Sequence, residues 1–265
     1  MSLLPLYQQV EHQEWIDIPS GWLQGRTVFG GLVAGLLIQK AQSVVHDTTK
    51  QLLSCNVTFV GPVQEGQAKL TAEVLREGKS VTTLEVRLWQ ADTVQSILIA
   101  SFGSQRESRI HVQNLPQIPD YPLPAQLKKT AYIEGLMPQC LQQFELCWAE
   151  GNYPMAGSKV PDFGGWCRFI PQLHPNREMK LADLFGLMDV WPPGVLPMFK
   201  TPAPASSLTW QITYLQPIAH QVQDWFKYKV VTEYAEHGYS TEYAYLWDDE
   251  NRLIAILRQT VAVFA

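Results

Sequence analysis

The stretch that decides the fold is "GRTVFGGLVAGLLIQKAQSVV", residues 25–45. Its apolar run predicts a buried helix that begins with Gly30 and Gly31, although glycine weakens a helix by up to about 1 kcal/mol relative to alanine. A steric reason is available, because Gly31 and Gly35 share one face and let another element lie against the backbone. A chemical reason is also available, because a ligand carbonyl or phosphate can reach the free N–H groups and positive dipole end of the first turn. Taken alone, the stretch favours the steric reason.

Length, composition and charge narrow the class of protein. The chain has 265 residues, of which 46% are hydrophobic, enough for one large domain or two ordinary ones with a substantial core. The longest apolar run, residues 30–38, is about half of what a bilayer span needs, and residues 1–15 lack the features of a signal peptide. We therefore expect a soluble, cytoplasmic protein with no membrane partner. The net charge of −5 argues against nucleic-acid binding.

The residues that usually hold metals or form disulfides are dispersed. Four cysteines are present without a CxxC spacing, which favours buried free thiols: Cys55, Cys140, Cys147 and Cys167. The six histidines are scattered and are expected at the surface. No GxSxG nucleophile elbow occurs either. The sequence therefore predicts no metal site and no cofactor.

Alternating polar and apolar residues follow the first helix, punctuated by glycine and proline. This pattern predicts antiparallel strands near residues 52–60, 67–76, 80–91 and 95–105. Two further strands are expected in the second half of the chain, in "QQFELCWAE" and "GGWCRFIPQ".

The C-terminal part of the chain repeats the polar and apolar pattern of the N-terminal part. "NVTFVGP" (Asn56 to Pro62) matches "QITYLQP" (Gln211 to Pro217), and "VTTLEVRLW" (Val81 to Trp89) matches "YSTEYAYLW" (Tyr239 to Trp247). The offset stays between 155 and 158 residues. So constant a shift indicates a duplication, and its period is too long for a solenoid.

A duplication requires a second central helix, and "KLADLFGLMDVWPPG" (Lys180 to Gly194) lies at the expected place. Pro192 and Pro193 mark its end. Asp189 falls where the first copy has Val33. A carboxylate in an otherwise apolar helix is costly to bury unless it has hydrogen-bond partners or a function.

Between the copies, "HVQNLPQIPDYPLPAQLKK" (residues 111–129) is rich in proline and lacks alternation, which is typical of a linker over the surface. The predicted organisation is a first domain at residues 1–108, a linker at residues 109–130 and a second domain at residues 131–265.

One long helix followed by a curved antiparallel sheet, repeated once, resembles the bacterial acyl-CoA thioesterase II family. The motifs that carry the resemblance are "GRTVFGGLVAGLL", "LFGLMDVW", "SSLTWQITYLQP" and "LIAILRQTVAVF". The resemblance implies an α+β double hotdog, with two antiparallel sheets each wrapped around a central helix. It also implies an acyl-CoA substrate and a homodimer or higher homo-oligomer.

The chemistry that the resemblance implies is hydrolysis of a thioester by water, without a covalent intermediate. By position, the water would be held between Asp189, Ser207 and Gln259. In a hotdog the N-terminus of the first helix faces the other copy, so the backbone N–H groups of residues 30–32, Gly30 to Leu32, could polarise the thioester carbonyl.

The chain departs from the family pattern at two places. Thr209 and Trp210 stand where the family usually has aspartate and histidine, and Leu32 stands where a glutamine often follows the glycines. The cations that would hold the CoA phosphates stay open among four residues: Arg26, Lys79, Arg106 and Arg109.

Other functions remain open at this stage. A hotdog dehydratase would need a catalytic histidine with an acid, and neither central helix contains histidine. A non-catalytic acyl-CoA or fatty-acyl binding protein, or a hotdog assembly module, would use the same fold. The distinguishing feature is whether Asp189, Ser207 and Gln259 converge on one cavity, since a binder needs the cavity but not the carboxylate.

Overall fold

The computed structural model describes residues 3–264. Within them lie three α-helices and thirteen β-strands: α1 (Leu4–His12), β1 (Trp15–Ile18), β2 (Leu23–Gln24), β3 (Thr27–Val28), α2 (Gly30–Val44), β4 (Lys50–Phe59), β5 (Gly66–Glu77), β6 (Val81–Gln90), β7 (Thr93–Ser104), β8 (Phe144–Gly151), β9 (Phe163–Phe169), α3 (Leu181–Asp189), β10 (Ala205–Tyr214), β11 (Phe226–Glu236), β12 (Tyr239–Asp248) and β13 (Leu253–Val263). Both predicted central helices and the predicted strands are confirmed, with ends that differ by a few residues.

Eleven strands form one antiparallel sheet in the order β1-β5-β6-β7-β4-β10-β13-β12-β11-β9-β8. The first half contributes β5-β6-β7-β4 and the second contributes β11-β12-β13-β10, so the two halves have the same internal order, mirrored about the centre. A duplicated arrangement is what the repeated pattern of the sequence predicts. Strands β2 and β3 pair separately as a small hairpin.

The prediction of two sheets, each wrapped around its own helix, is wrong in one respect. The structure has a single continuous sheet, because β4 and β10 pair antiparallel at its centre, from Thr58 opposite Thr209 to Ser54 opposite Thr213. A strand left at an edge would present unpaired backbone N–H and C=O groups. Pairing β4 with β10 satisfies those groups and fixes the two halves to each other.

Helix α2 packs against β5, β6 and β7 and lies directly on α3. It also contacts α1, so nearly all of its sides are covered and it can be apolar almost throughout. The apolar run of α2 is thus explained by burial inside the protein, and the run is too short to span a bilayer. Among residues 3–264, no helix combines the length and the hydropathy that crossing a membrane requires.

The glycines of α2 permit its close approach to α3. A Cβ atom on Gly35 would lie 2.7 Å from the backbone oxygen of Ala182, and one on Gly31 would lie 2.9 Å from the Cβ atom of Asp189. Both distances are shorter than a Cβ atom tolerates in a folded protein. The steric reason for glycine in this helix is therefore confirmed.

The proline-rich segment runs over the second half of the molecule. Residues 105–123 form neither helix nor strand. The side chain of Lys227 donates to the Pro119 carbonyl at 3.0 Å, and the indole N–H of Trp166 donates to the Pro122 carbonyl at 3.0 Å. The segment is thus tied to β9 and β11, while the predicted domain boundaries stay a prediction.

The four cysteines are buried and free, as predicted. The prediction that every histidine lies at the surface is wrong for His174 and His220, which are both buried. His174 is hydrogen-bonded to Gln143, and its burial lowers its pKa to about 4. His220 pairs with Asp248 at 3.2 Å. Each ring has a polar partner that the sequence pattern did not reveal, which offsets the cost of burial.

We predict that Gly35→Val lowers the free energy of unfolding by about 1–3 kcal/mol, the usual cost of overpacking a core. The added side chain meets the backbone of Ala182, which cannot move aside as a flexible side chain can. The matched control is Gln42→Val on the exposed side of the same helix, which carries the same change toward a β-branched residue. Urea denaturation checks both variants. Equal effects of the two substitutions would contradict the close-packing account.

Candidate active site

A cavity of about 320 Å³ lies where the two halves meet. It is bounded by the first turn of α2, the end of α3 and the facing parts of β10, β12 and β13. Its lining includes Gly30, Val33, Asp189, Ser207, Glu242 and Gln259. The three predicted catalytic side chains therefore converge on one cavity. A second groove, of about 710 Å³, is lined by residues 129–146 and Ile170 and contains none of them.

Asp189 is the last residue of α3 and lines the cavity. The helix ends there because Pro192 and Pro193 follow, and proline can neither donate a backbone hydrogen bond nor follow a helical residue comfortably. Burial raises the pKa of the Asp189 carboxyl to about 8. The N–H of Gly31, which faces the carboxyl, lowers this pKa, and the nearby Glu242 carboxylate raises it.

Ser207 and Gln259 come from neighbouring strands. Strand β10 has a bulge between Ser207 and Thr209, after which Trp210 pairs with Gln259 of β13. Ser207 lines the cavity, and its hydroxyl accepts a hydrogen bond from the side-chain amide of Gln259. The amide occupies an acceptor site of the hydroxyl, which leaves the hydroxyl hydrogen free to donate to a bound molecule.

The N-terminus of α2 forms the opposite wall of the cavity. A Cβ atom on Gly30 would lie 2.9 Å from a carboxylate oxygen of Asp189, so the missing side chain keeps backbone and carboxylate close. The first-turn N–H groups are not equivalent. The N–H of Leu32 donates to the Phe29 carbonyl at 3.1 Å, while the N–H of Gly31 faces Asp189. Of the predicted trio, Gly30 lines the cavity, Gly31 faces Asp189 and Leu32 is engaged within the helix.

One residue of the cavity was missed by the sequence analysis. Glu242 lies on β12 with only 3% of its surface exposed, directly opposite Gln259 in the strand pairing. Its carboxylate accepts a hydrogen bond from the N–H of Gly194 at 2.7 Å. Burial raises the pKa of Glu242 to about 7, the Gly194 N–H lowers it, and Asp162 raises it.

A signal for Glu242 was present in the repeat. The match of "VTTLEVRLW" to "YSTEYAYLW" aligns Glu242 with Leu84, as the helices align Asp189 with Val33. A comparison of the two copies for apolar positions that become acidic would have found both residues.

The cations proposed for a phosphate-bearing ligand differ in position. Arg26 lies in the turn between β2 and β3, and its neighbours Gln24 and Thr27 line the cavity. Lys79, Arg106 and Arg109 are not part of this lining. Within the described residues, no cluster of histidine, cysteine and acidic side chains could hold a metal ion.

Two family models of acyl-CoA thioesterase domains match this chain, one in each half. The family model described as the acyl-CoA thioesterase N-terminal domain matches residues 18–103, and the model of the acyl-CoA thioesterase C-terminal domain matches residues 116–263. No curated protein matches the chain.

Solved structures resemble the whole chain at low sequence identity. A protein of unknown function with a hotdog fold from Alicyclobacillus acidocaldarius superposes with a TM-score of 0.82 at 21% identity, over 95% of this chain and 92% of the other. The acyl-CoA thioesterase II TesB2 from Mycobacterium marinum gives 0.67 at 18% identity, over 88% of each chain. The tesB protein of Mycobacterium avium subs paratuberculosis gives 0.75 at 14% identity, over 100% of each chain. These likenesses show a hotdog fold.

We predict that Asp189→Asn makes the protein more stable than the wild type at pH 9 and that the difference shrinks toward pH 4. The Asp189 carboxyl has a pKa of about 8 in the folded chain and about 3.9 in the unfolded chain. Between these two pH values it is ionised in the unfolded chain and takes up a proton when the chain folds. Wild-type stability is therefore lost as the pH rises from the unfolded pKa through the folded pKa. The loss is about 1.4 kcal/mol for each pH unit between the two values.

Urea denaturation at pH 4, 7 and 9 checks this prediction. The control is Asp249→Asn, which removes the charge of an exposed aspartate near the end of β12. Parallel stability curves for Asp189→Asn and the wild type would contradict a raised pKa at Asp189.

Proposed function

The chain belongs to the acyl-CoA thioesterase family, and on this premise we propose that it hydrolyses acyl-CoA thioesters to a free acid and CoA. The observation that carries the proposal is the convergence of Asp189, Ser207 and Gln259 on one cavity beside the N-terminus of α2. A protein that only binds acyl groups has no need for a buried carboxylate at this place, where its desolvation costs free energy.

In this proposal Asp189 is the general base. Burial makes its carboxyl a stronger proton acceptor than a free carboxylate, and its ionised fraction rises with pH around 8. The carboxylate takes a proton from water as the water oxygen attacks the thioester carbon. The carbon–sulfur bond then breaks, CoA leaves as a thiolate, and the proton held by Asp189 is available to the sulfur.

Ser207 and Gln259 orient the water. The amide of Gln259 fixes the Ser207 hydroxyl, whose hydrogen is free to donate to the water oxygen. Two polar groups from adjacent strands hold a small molecule in one place more firmly than a single mobile side chain does. Such positioning contributes to rate by removing the entropic cost of bringing the reactants together.

A backbone N–H at the start of α2 supplies the polarisation of the carbonyl. Gly30 is the donor we propose, since the Gly31 N–H is engaged by Asp189 and the Leu32 N–H by Phe29. Donors aimed at developing negative charge are often the largest single contribution to catalysis. We assign the CoA phosphates to Arg26, because Gln24 and Thr27 of the same hairpin line the cavity.

We predict that Asp189→Asn lowers the rate of thiol release from acyl-CoA at least a hundredfold, equivalent to about 2.7 kcal/mol of barrier. The substitution keeps the shape of the side chain and removes the base. The measurement is colorimetric detection of free CoA from short, long and aromatic acyl-CoAs, with the exposed Asp249→Asn as the control. A wild type that binds acyl-CoA without releasing thiol would overturn the proposal and favour a binding protein.

We predict that Gly30→Ala lowers turnover about tenfold or more while the protein stays folded. The added methyl group reaches within 2.9 Å of the Asp189 carboxylate, whose side chain can shift at little cost in stability but not without losing its geometry. Thiol release and the melting temperature are measured on the same sample. Unchanged turnover in a folded variant would remove Gly30 from the site.

A further inference from the structure

The two acids of the cavity, the half-buried Asp189 and the buried Glu242, are both peculiar to the second copy of the repeat. Asp189 corresponds to Val33 and Glu242 corresponds to Leu84, and Leu84 is fully buried in the core of the first half. An apolar side chain is therefore compatible with each position in this fold. Two separate elements, α3 and β12, nevertheless each place a carboxylate at the same cavity.

Other buried carboxylates in the chain show what a structural role looks like. Asp183 is held by both guanidinium nitrogens of Arg177 and by the Tyr7 hydroxyl. Asp248 accepts hydrogen bonds from His220 and Arg252, and these partners lower its pKa. Each structural carboxylate is thus matched by a cation and by several donors, as burial of a charge requires.

Glu242 has no such set of partners. Its one hydrogen bond within the described residues comes from the N–H of Gly194, to Oε2, and Oε1 has none. The cavity lining that the structure describes contains no lysine, arginine or histidine to offset its charge. Glu242 lines the cavity, so its Oε1 is left to the cavity rather than to a protein donor.

Groups from several neighbouring elements face the two acids. The N–H of Gly31 on α2 faces Asp189, and the N–H of Gly194 faces Glu242. The other titratable groups close enough to interact are the Tyr228 hydroxyl on β11, the Cys140 thiol and the Asp162 carboxylate. None of them is a cation. No positive charge therefore offsets the repulsion between the two carboxylates, and the ionisation of one opposes the ionisation of the other.

We propose that Glu242 is a positioning residue that acts on the reaction through Asp189, its negative charge making Asp189 a stronger acceptor for the proton of the attacking water. This inference rests on the function proposed above. No proton passes to Glu242 in the step: the water proton goes to Asp189, and Glu242 supplies only the field.

The test is a pH profile of thiol release for Glu242→Gln against the wild type, with Glu73→Gln on the exposed face of β5 as the control. Without the charge of Glu242, Asp189 ionises at lower pH but is a weaker base. The variant is expected to match the wild type at pH 6, where Glu242 is itself mostly protonated, to be faster at about pH 7.5 and to be severalfold slower at pH 9, so the two profiles cross. A uniform loss of rate with an unshifted profile would overturn the proposal.

A second readout does not depend on turnover and separates this inference from the proposed function. The titration of Asp189 is followed by ¹³C NMR of its labelled carboxyl carbon, assigned by its disappearance in Asp189→Asn. The midpoint is expected to move to lower pH in Glu242→Gln and to stay in place in Glu73→Gln. An unmoved midpoint overturns the coupling, whereas a moved midpoint in a protein without thioesterase activity supports the coupling and rejects the proposed reaction.

Glu242→Leu restores the residue type of the first copy and tests the alternative that Glu242 is structural. Replacing a half-satisfied buried carboxylate with an apolar side chain is expected to raise the melting temperature, while the alkaline rate falls as in Glu242→Gln. A fall in melting temperature together with a uniform fall in rate would identify Glu242 as a structural residue and overturn the proposal.

Discussion

The direct contact between α2 and α3 is the constraint on which the rest of the molecule depends. It exists because Gly31 and Gly35 have no side chain where α3 passes, with the Ala182 carbonyl 2.7 Å from the position of the missing Gly35 Cβ. The contact places the N-terminus of α2 against the C-terminal end of α3, where Asp189 lies. The cavity follows from this contact together with the β4–β10 pairing, which brings the strands of the second half to the same place.

The two halves have the same architecture but contribute different residues to the cavity. Both halves have the same strand order and a central helix, yet the acidic residues at the cavity belong to the second half alone. The first half contributes the N-terminus of α2, the β2–β3 hairpin and residues 59–63, none of which brings an acidic side chain to the lining. One copy thus provides the surface against which the other copy presents its carboxylates. A fold that needs its two halves to make one site has a physical reason to keep them in one chain.

The sequence predicted much of the fold because its periodicity is strong. The central helices and the strands of the second half could be placed from alternation and from the offset between copies, and Asp189 stood out as a charge in an apolar helix. The single sheet could not be predicted, since pairing of β4 with β10 leaves no mark on either strand. His174 and His220 were misplaced because their burial depends on the distant partners Gln143 and Asp248.

The site was predicted less completely than the fold. Asp189, Ser207 and Gln259 were found through the family resemblance, and the structure brings them to one cavity. Glu242 was missed because a glutamate in an alternating strand is ordinarily a solvent-facing residue. Its inward direction is indicated by the match to the buried Leu84 of the first copy and by the register with Gln259. The engagement of the Leu32 N–H depends on the conformation of the helix start, which sequence does not specify.

The most direct test of this account is a crystal structure with an acyl-CoA analogue in which the scissile thioester is replaced by a stable ketone. The account predicts that the carbonyl carbon lies in the cavity, with a water about 3–3.5 Å from it that is hydrogen-bonded to Asp189 and Ser207. Its carbonyl oxygen should point to the backbone at Gly30. An analogue seated in the groove of residues 129–146, with the cavity unoccupied, would contradict the assignment of the site.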